Sequence, residues 1–221
     1  MWTKRCEASV IILRVKLIAW TGGYLEDLRR LIVLAVKTSA GKLGLKEAEY
    51  YLKEYKEENV GKHVMESFKY PSVLEHVVFT FLIEGISRVA SHQLVRHRIA
   101  SYTQESQRYS AVERDYVVPA SVIKAGFEEE FRKLMEEAYR LYDEMISAGV
   151  PYEDARYVVP QAVTTRLLMT VNLRELIHIA CLRLSPHAQW ELRELVRLMI
   201  EEAKKVVPEL PYLLQNMCEE P

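Results

Sequence analysis

Glycine is scarce in this chain, eight in 221 residues. The glycines never fall into G-x-G-x-x-G or G-x-x-x-x-G-K-[ST] order, which excludes the dinucleotide-binding crossover and the P-loop, two devices that cradle phosphate on backbone amides. H-E-x-x-H is missing as well, and no metal site is expected. No run of eighteen apolar residues occurs, so a membrane-spanning helix is not expected. Cys6, Cys181 and Cys218 are odd in number, scattered and without C-x-x-C spacing. Reduced, buried thiols are therefore the expectation, rather than a disulfide framework or a zinc site. Charge is nearly balanced, 30 Lys and Arg against 31 Asp and Glu, which disfavours a generally basic nucleic-acid binder. The opening MWTKRCEASVIILRVKLIAW has a cation before an apolar run, but Arg14 and Lys16 interrupt it and no A-x-A-like cleavage site follows. It reads as a strand, and the protein as cytoplasmic.

Balanced overall, the charge is segregated locally. Between Glu84 and Glu105 lie Arg88, His92, Arg96, His97 and Arg98 with no acid among them, and Arg156, Arg166, Arg174, His178 and Arg183 are interrupted only by Glu175. The acids crowd instead into 47–58, 128–137 and 191–202, alternating with Lys and Arg as on solvated helix faces. The two arginine-bearing segments are where an anionic ligand would sit. Without a glycine-rich loop, phosphate must be held by side chains, and the forked donors of arginine suit that task.

Periodicity places these segments on an α+β fold, an antiparallel or mixed sheet with long α-helices in a single domain spanning 1–221. VIILRVKLIAW, VVFTFLI and AVTTRLLMTVN have strand composition. The pair Gly22-Gly23 reads as a turn. Helices are expected over 25–36, 46–58 (polar and exposed), 88–96, 127–148 with Gly149 and Pro151 as the stop, 173–184, and a last long helix from Leu192 to Val206 ending before Pro208. Ser72 and Glu75 have capping-box spacing at the junction 71–76. IASYTQESQRYS is expected to be extended or looped. His178 and Cys181, three apart on a helix, allow a Cys–His nucleophile on paper, but a packed cysteine is the preferred reading.

Arg96, His97, Arg98, Ser101, Ser106 and Arg108 form R-H-R-x-x-S followed by S-x-R. This resembles the signature of flavin-dependent thymidylate synthases, which methylate dUMP by a route unrelated to the cysteine-dependent enzymes. Further segments agree in order over about residues 35–200: PSVLEHVVFTF at 71–81, Gln93, ARYVVP at 155–160, TVNLR at 170–174 and HAQWE at 187–191. Two positions depart from the common pattern, Tyr70 where many members have His and Thr103 where Asn is common.

The resemblance implies an FAD site from Ser39, Ser72, Glu75, Arg96, His97, Arg98, Ile99, Asn172, Arg174 and His178. It implies a dUMP site from Gln93, Gln104, Ser106, Arg108, Arg156 and Arg183. Arg183 and Ser106 stand nearest the chemistry. A guanidinium aimed at the uracil edge would stabilise enolate charge as C5 becomes nucleophilic. Ser106 has no His–Asp pair spaced to activate it and reads as a hydrogen-bonding residue. The family also implies NADPH and 5,10-methylenetetrahydrofolate as co-substrates, tetrahydrofolate as product, and a homotetramer with active sites shared between subunits. Two rivals compete: an RNA-binding module using Arg96, Arg98, Tyr102, Arg108 and Tyr109, and a helical assembly protein whose arginines pair across an interface. Near-zero net charge and scattered aromatics weigh against the first.

Overall fold

The computed structural model describes residues 13–22, 26–42 and 46–218. In chain order they form β1 (Arg14–Trp20), α1 (Arg29–Ser39), α2 (Glu57–Glu66), β2 (Val78–Ser87), α3 (Arg88–Leu94), β3 (Ala100–Gln104), α4 (Ala120–Lys124), α5 (Glu128–Ser147), α6 (Tyr152–Ala155), β4 (Thr164–Asn172), α7 (Leu173–Arg183), α8 (Trp190–Lys204) and α9 (Leu210–Met217). The four strands make one antiparallel sheet in the order β1-β2-β4-β3, as the α+β reading expects. Both central strands alternate with period two. Phe79, Phe81 and Ile83 point one way from β2 and Thr165, Leu167, Met169 and Val171 from β4, all buried.

Two compact units, each assembled from several segments, divide the chain. Among the described residues, the first comprises 13–14, 83–94 and 103–167. Its organiser is α5, which starts with Glu128, Glu129 and Glu130 at the positive end of the helix dipole and ends at Gly149, whose φ of 88° suits a left-handed cap. Met135 and Tyr139 from α5 pack with Val163, Tyr116 and Phe131. Among the described residues, the second unit holds 15–22, 26–42, 46–82, 95–102 and 168–218. There α7 buries Leu173, Leu176, Ile177, Ile179 and Ala180 and packs against α8 and α9. Each fully buried Leu or Ile side chain contributes about 1.5–3 kcal/mol by leaving water, so α7 is firmly seated.

Several boundaries differ from the sequence reading. The starts of the expected first strand and first helix, and Gly23 of the turn, lie outside the described residues. The segment 46–58 is not one exposed helix: Tyr50–Glu54 forms a π-helical turn that buries Tyr51 and Leu52, and Tyr55 and Lys56 are extended before α2 begins. Its three tyrosines pack edge to face or tilted, a stabilisation that charge alternation does not reveal. Residues 71–76 form a 3₁₀ helix with no side-chain cap, so Ser72 and Glu75 make no capping box. A further helix, α9, follows Pro208, with Pro211 in its first turn where a missing N–H costs nothing.

The cysteine expectation is also corrected. Cys181 on α7 and Cys218 after α9 form a disulfide, Cα atoms 5.1 Å apart across a sequence separation of 37. Residues this far apart in sequence met because α9 folds back onto α7, which spacing alone does not show. Cys6 lies outside the described residues.

Candidate active site

Within the second unit, β4 runs into α7 at Asn172, whose Oδ1 accepts the Glu175 N–H at 2.8 Å and caps the helix. Opposite that junction the chain leaves α3 in a turn, so Arg96 to Ile99 have no regular backbone pairing before β3 starts. A groove of about 270 Å³ is lined by Glu75, Val78, Arg98, Ile99, Ala100, Ser101, Thr170, Val171 and Asn172. Four residues expected at the flavin, Glu75, Arg98, Ile99 and Asn172, therefore share one surface. Arg174 reaches it by pairing with Glu75. Ile99 is 67% exposed, an apolar side chain held out beside Arg98 in the groove lining. Among the described residues no carboxylate lies within ion-pair reach of Arg96 or Arg98.

His97 behaves differently from its neighbours. It is buried, and its Nε2 accepts from Arg183 Nε at 3.0 Å. On its other side Nδ1 lies 3.7 Å from Glu175 Oε1, and the His178 ring stands edge-on with centroids 6.3 Å apart. Burial, followed by the charges of Arg183 and His178, pushes the His97 pKa down to about 4. The ring is thus neutral at physiological pH. Burial raises the Glu175 pKa, opposed by His178. His178 itself is exposed. Its helix neighbour Cys181 is tied up in the disulfide, so no Cys–His nucleophile exists in this state.

Ser39 and Ser72 stand apart from this cluster. Ser39 is exposed at the end of α1, its hydroxyl donating to Val36 O at 3.1 Å. Ser72 is exposed in the 3₁₀ helix.

The first unit gathers most of the residues expected at dUMP. Glu153 holds two of them: Arg108 Nε donates to its carboxylate at 2.5 Å and Arg156 Nε to its carbonyl at 3.1 Å. Ser106 Oγ accepts the Arg108 N–H at 3.2 Å, which fits a local turn and not an activated nucleophile. Gln104 Nε2 donates to Ser91 Oγ at 3.0 Å and toward Thr165 Oγ1 at 3.4 Å. Gln93 is half-buried on α3. Arg183 alone of this set belongs to the second unit.

Sequence reasoning passed over several participants. In the sequence Glu175 reads only as an interruption in a basic stretch; its place three residues after Asn172 is the available signal. Tyr102 donates to His97 O at 2.9 Å and Arg88 to Glu105 O at 2.7 Å, two contacts that depend on backbone turns invisible in composition.

Comparison with known proteins fits this arrangement. Residues 16–209 match the family described as thymidylate synthase complementing protein, Thy1. The chain belongs to the Thy1 family. A flavin-dependent thymidylate synthase from Sulfolobus acidocaldarius is 43% identical over 203 residues, covering 90% of this chain and 75% of the relative. One of the same name from Pyrococcus furiosus is 51% identical over 157 residues, 67% of this chain and 64% of the relative. The crystal structure of a UMP/dUMP methylase, PolB from Streptomyces cacaoi bound with 5-Br dUMP, superposes with a TM-score of 0.77 at 20% identity, covering 93% of this chain and 94% of that one. That likeness establishes the fold. The family read from Arg96 to Arg108 is borne out.

Proposed function

We propose that this Thy1 chain carries out the reductive methylation of dUMP to dTMP, with FAD as its flavin, NADPH as reductant and 5,10-methylenetetrahydrofolate as carbon donor, releasing tetrahydrofolate. The observation that carries the reading is the groove lined by Arg98, Ile99 and Asn172, where Arg98 and its sequence neighbour Arg96 have no carboxylate partner among the described residues. Such a surface suits a ligand with a pyrophosphate and a flat apolar ring system. Arg96, Arg98 and Arg174 would take the anionic part, Ile99 would pack on the ring, and Asn172 and Glu75 would supply polar contacts at the rim. Bound FAD would supply reducing equivalents; the protein supplies orientation and electrostatics.

For dUMP, Arg108 and Arg156 would exchange Glu153 for the substrate phosphate, with Gln93, Gln104 and Ser106 supplying hydrogen bonds. Arg183 would face the uracil edge, where a fixed cation stabilises charge developing on the ring oxygens. No thiolate takes part. The chain would act as one domain over 1–221, in the cytoplasm, without nucleic acid or membrane as partner; among the described residues no helix is long and apolar enough to cross a membrane. A homotetramer is supported by an apolar hollow of about 430 Å³ at Val122, Phe127, Phe131 and Leu134, where Phe127 and Leu134 are each 62% exposed. The test is dTMP formation from dUMP, FAD, NADPH and methylenetetrahydrofolate by the purified protein. Product with tetrahydrofolate is expected. A yellow, folded protein that forms none under these conditions overturns the reading.

A further inference from the structure

Arg183 has no carboxylate of its own among the described residues. Its partner is a neutral ring, and that ring can receive it in only one tautomer. The arginine Nε always carries hydrogen, so His97 Nε2 must be the acceptor at 3.0 Å, and the ring proton must sit on Nδ1. With the proton on Nε2 instead, two N–H groups would face each other and the contact would be lost.

What selects the tautomer lies on the far side of the ring. Glu175 Oε1 is 3.7 Å from Nδ1, and the two side chains are only 8% and 6% exposed. Glu175 is itself fixed at the start of α7 by the Asn172 cap on its N–H. The backbone of His97 is held too, by the Tyr102 hydroxyl. A buried carboxylate is costly unless something nearby uses its charge, and here it faces the one ring nitrogen that must keep a proton.

We propose that Glu175 is the positioning residue for Arg183, acting through His97: the carboxylate holds the ring in its Nδ1–H form, and the ring aims the guanidinium so that its two terminal amino groups stay free for the substrate. This rests on the reading of Arg183 as the uracil-facing arginine. A cation is the competing use of the cluster, since ligand atoms of His97, Glu175 and His178 lie within 4.8 Å of one another. The permanent charge of Arg183 on the same imidazole opposes a second cation there.

The test uses FAD-loaded Glu175→Ala, Glu175→Gln, Arg183→Lys and the Glu175→Ala/Arg183→Lys double variant, with kcat, KM for dUMP and flavin occupancy measured on each. Glu175→Ala should lower kcat about tenfold with flavin occupancy unchanged, and the double variant should be no slower than Arg183→Lys alone, as expected of residues acting in one chain. Glu175→Gln, whose amide oxygen keeps a partial negative charge facing Nδ1–H across the same gap, should recover part of the rate. A role confined to the helix dipole would leave Gln as slow as Ala and make the two losses multiply. Glu175→Leu, similar in length and apolar, carries the test if the alanine variant melts early. A parental kcat in Glu175→Ala beside a slow Arg183→Lys overturns the positioning role and leaves the uracil reading standing. A parental kcat in Arg183→Lys overturns the uracil reading, and the positioning role with it.

Discussion

Arg108 and Arg156 of the first unit share Glu153, and Arg166 there pairs with Glu113 at 2.7 Å; Arg96 and Arg98 of the second unit face no carboxylate among the described residues. Two modes of holding an anion follow. In the first unit, the Glu153 carboxylate already neutralises Arg108, while Arg156 meets only the Glu153 backbone carbonyl, so a phosphate at Arg108 must displace a glutamate and the net gain there is small. In the second, a ligand supplies the neutralising charge outright, and each contact contributes in full. The difference teaches why local acid depletion, more than arginine content, marked the R-H-R segment.

The largest expected effect tests the arginine that belongs to neither mode. Arg183→Lys keeps a cation but loses the planar fork and the Nε–H to His97, so single-turnover dTMP formation should fall about a hundredfold while FAD stays bound. Flavin lost together with activity would place Arg183 with the cofactor residues instead. Next come the unpaired arginines. Arg96→Ala or Arg98→Ala should each lose roughly 1.5–3 kcal/mol of charge-assisted bonding and weaken FAD retention about tenfold or more, measured by flavin release on dilution. Full retention in both variants would erase the contrast.

Smaller in size, but sharper in logic, is Glu153→Ala. Removing the occupant of Arg108 should tighten dUMP, because the substrate no longer competes with a protein carboxylate. An exposed pair of this kind is worth about 0.2–1 kcal/mol, so KM should fall by at most about fivefold. A rise in KM would mean that Glu153 positions Arg108 rather than occupying it.

The smallest effect is on stability. The His97 pKa is depressed from 6.5 to about 4, so between those values the unfolded chain binds a proton that the folded chain refuses. Stability from this residue is therefore full above pH 6.5 and is lost progressively as pH falls toward 4. The melting temperature of His97→Gln should vary less than that of the parent across this window. His63, also depressed by burial, contributes to both and cancels in the comparison. Equal slopes would mean that the ring is not held neutral.

The sequence made the sheet and the main helices legible wherever burial is one-sided. Phe79, Phe81 and Ile83 alternate, and Met135 and Tyr139 recur at helical spacing, so periodicity and packing report the same fact. It was silent where a contact depends on the path of the chain. The π turn at Tyr50–Glu54 is built by ring packing, and the Cys181–Cys218 bond by the return of α9. The same division runs through the candidate site. The run Arg96 to Arg108 stood out by composition, and with it the groove residues Arg98 and Ile99. Glu175 did not, because one acid in a basic stretch looks like dilution until the fold sets it against an imidazole.

One helix also acts as a ruler. Nine residues separate Arg174, which meets Glu75, from Arg183, which meets His97, and at about 1.5 Å and 100° per residue they stand some 13–14 Å apart on opposite sides of α7. The Asn172 cap fixes the near end of that span, and the disulfide at Cys181 clamps it two residues short of the far end. The separation between the arginine proposed for the cofactor and the one proposed for the substrate is thereby written into residue count. Adding a single residue between them would swing Arg183 by about 100° and leave His97 with no guanidinium to receive.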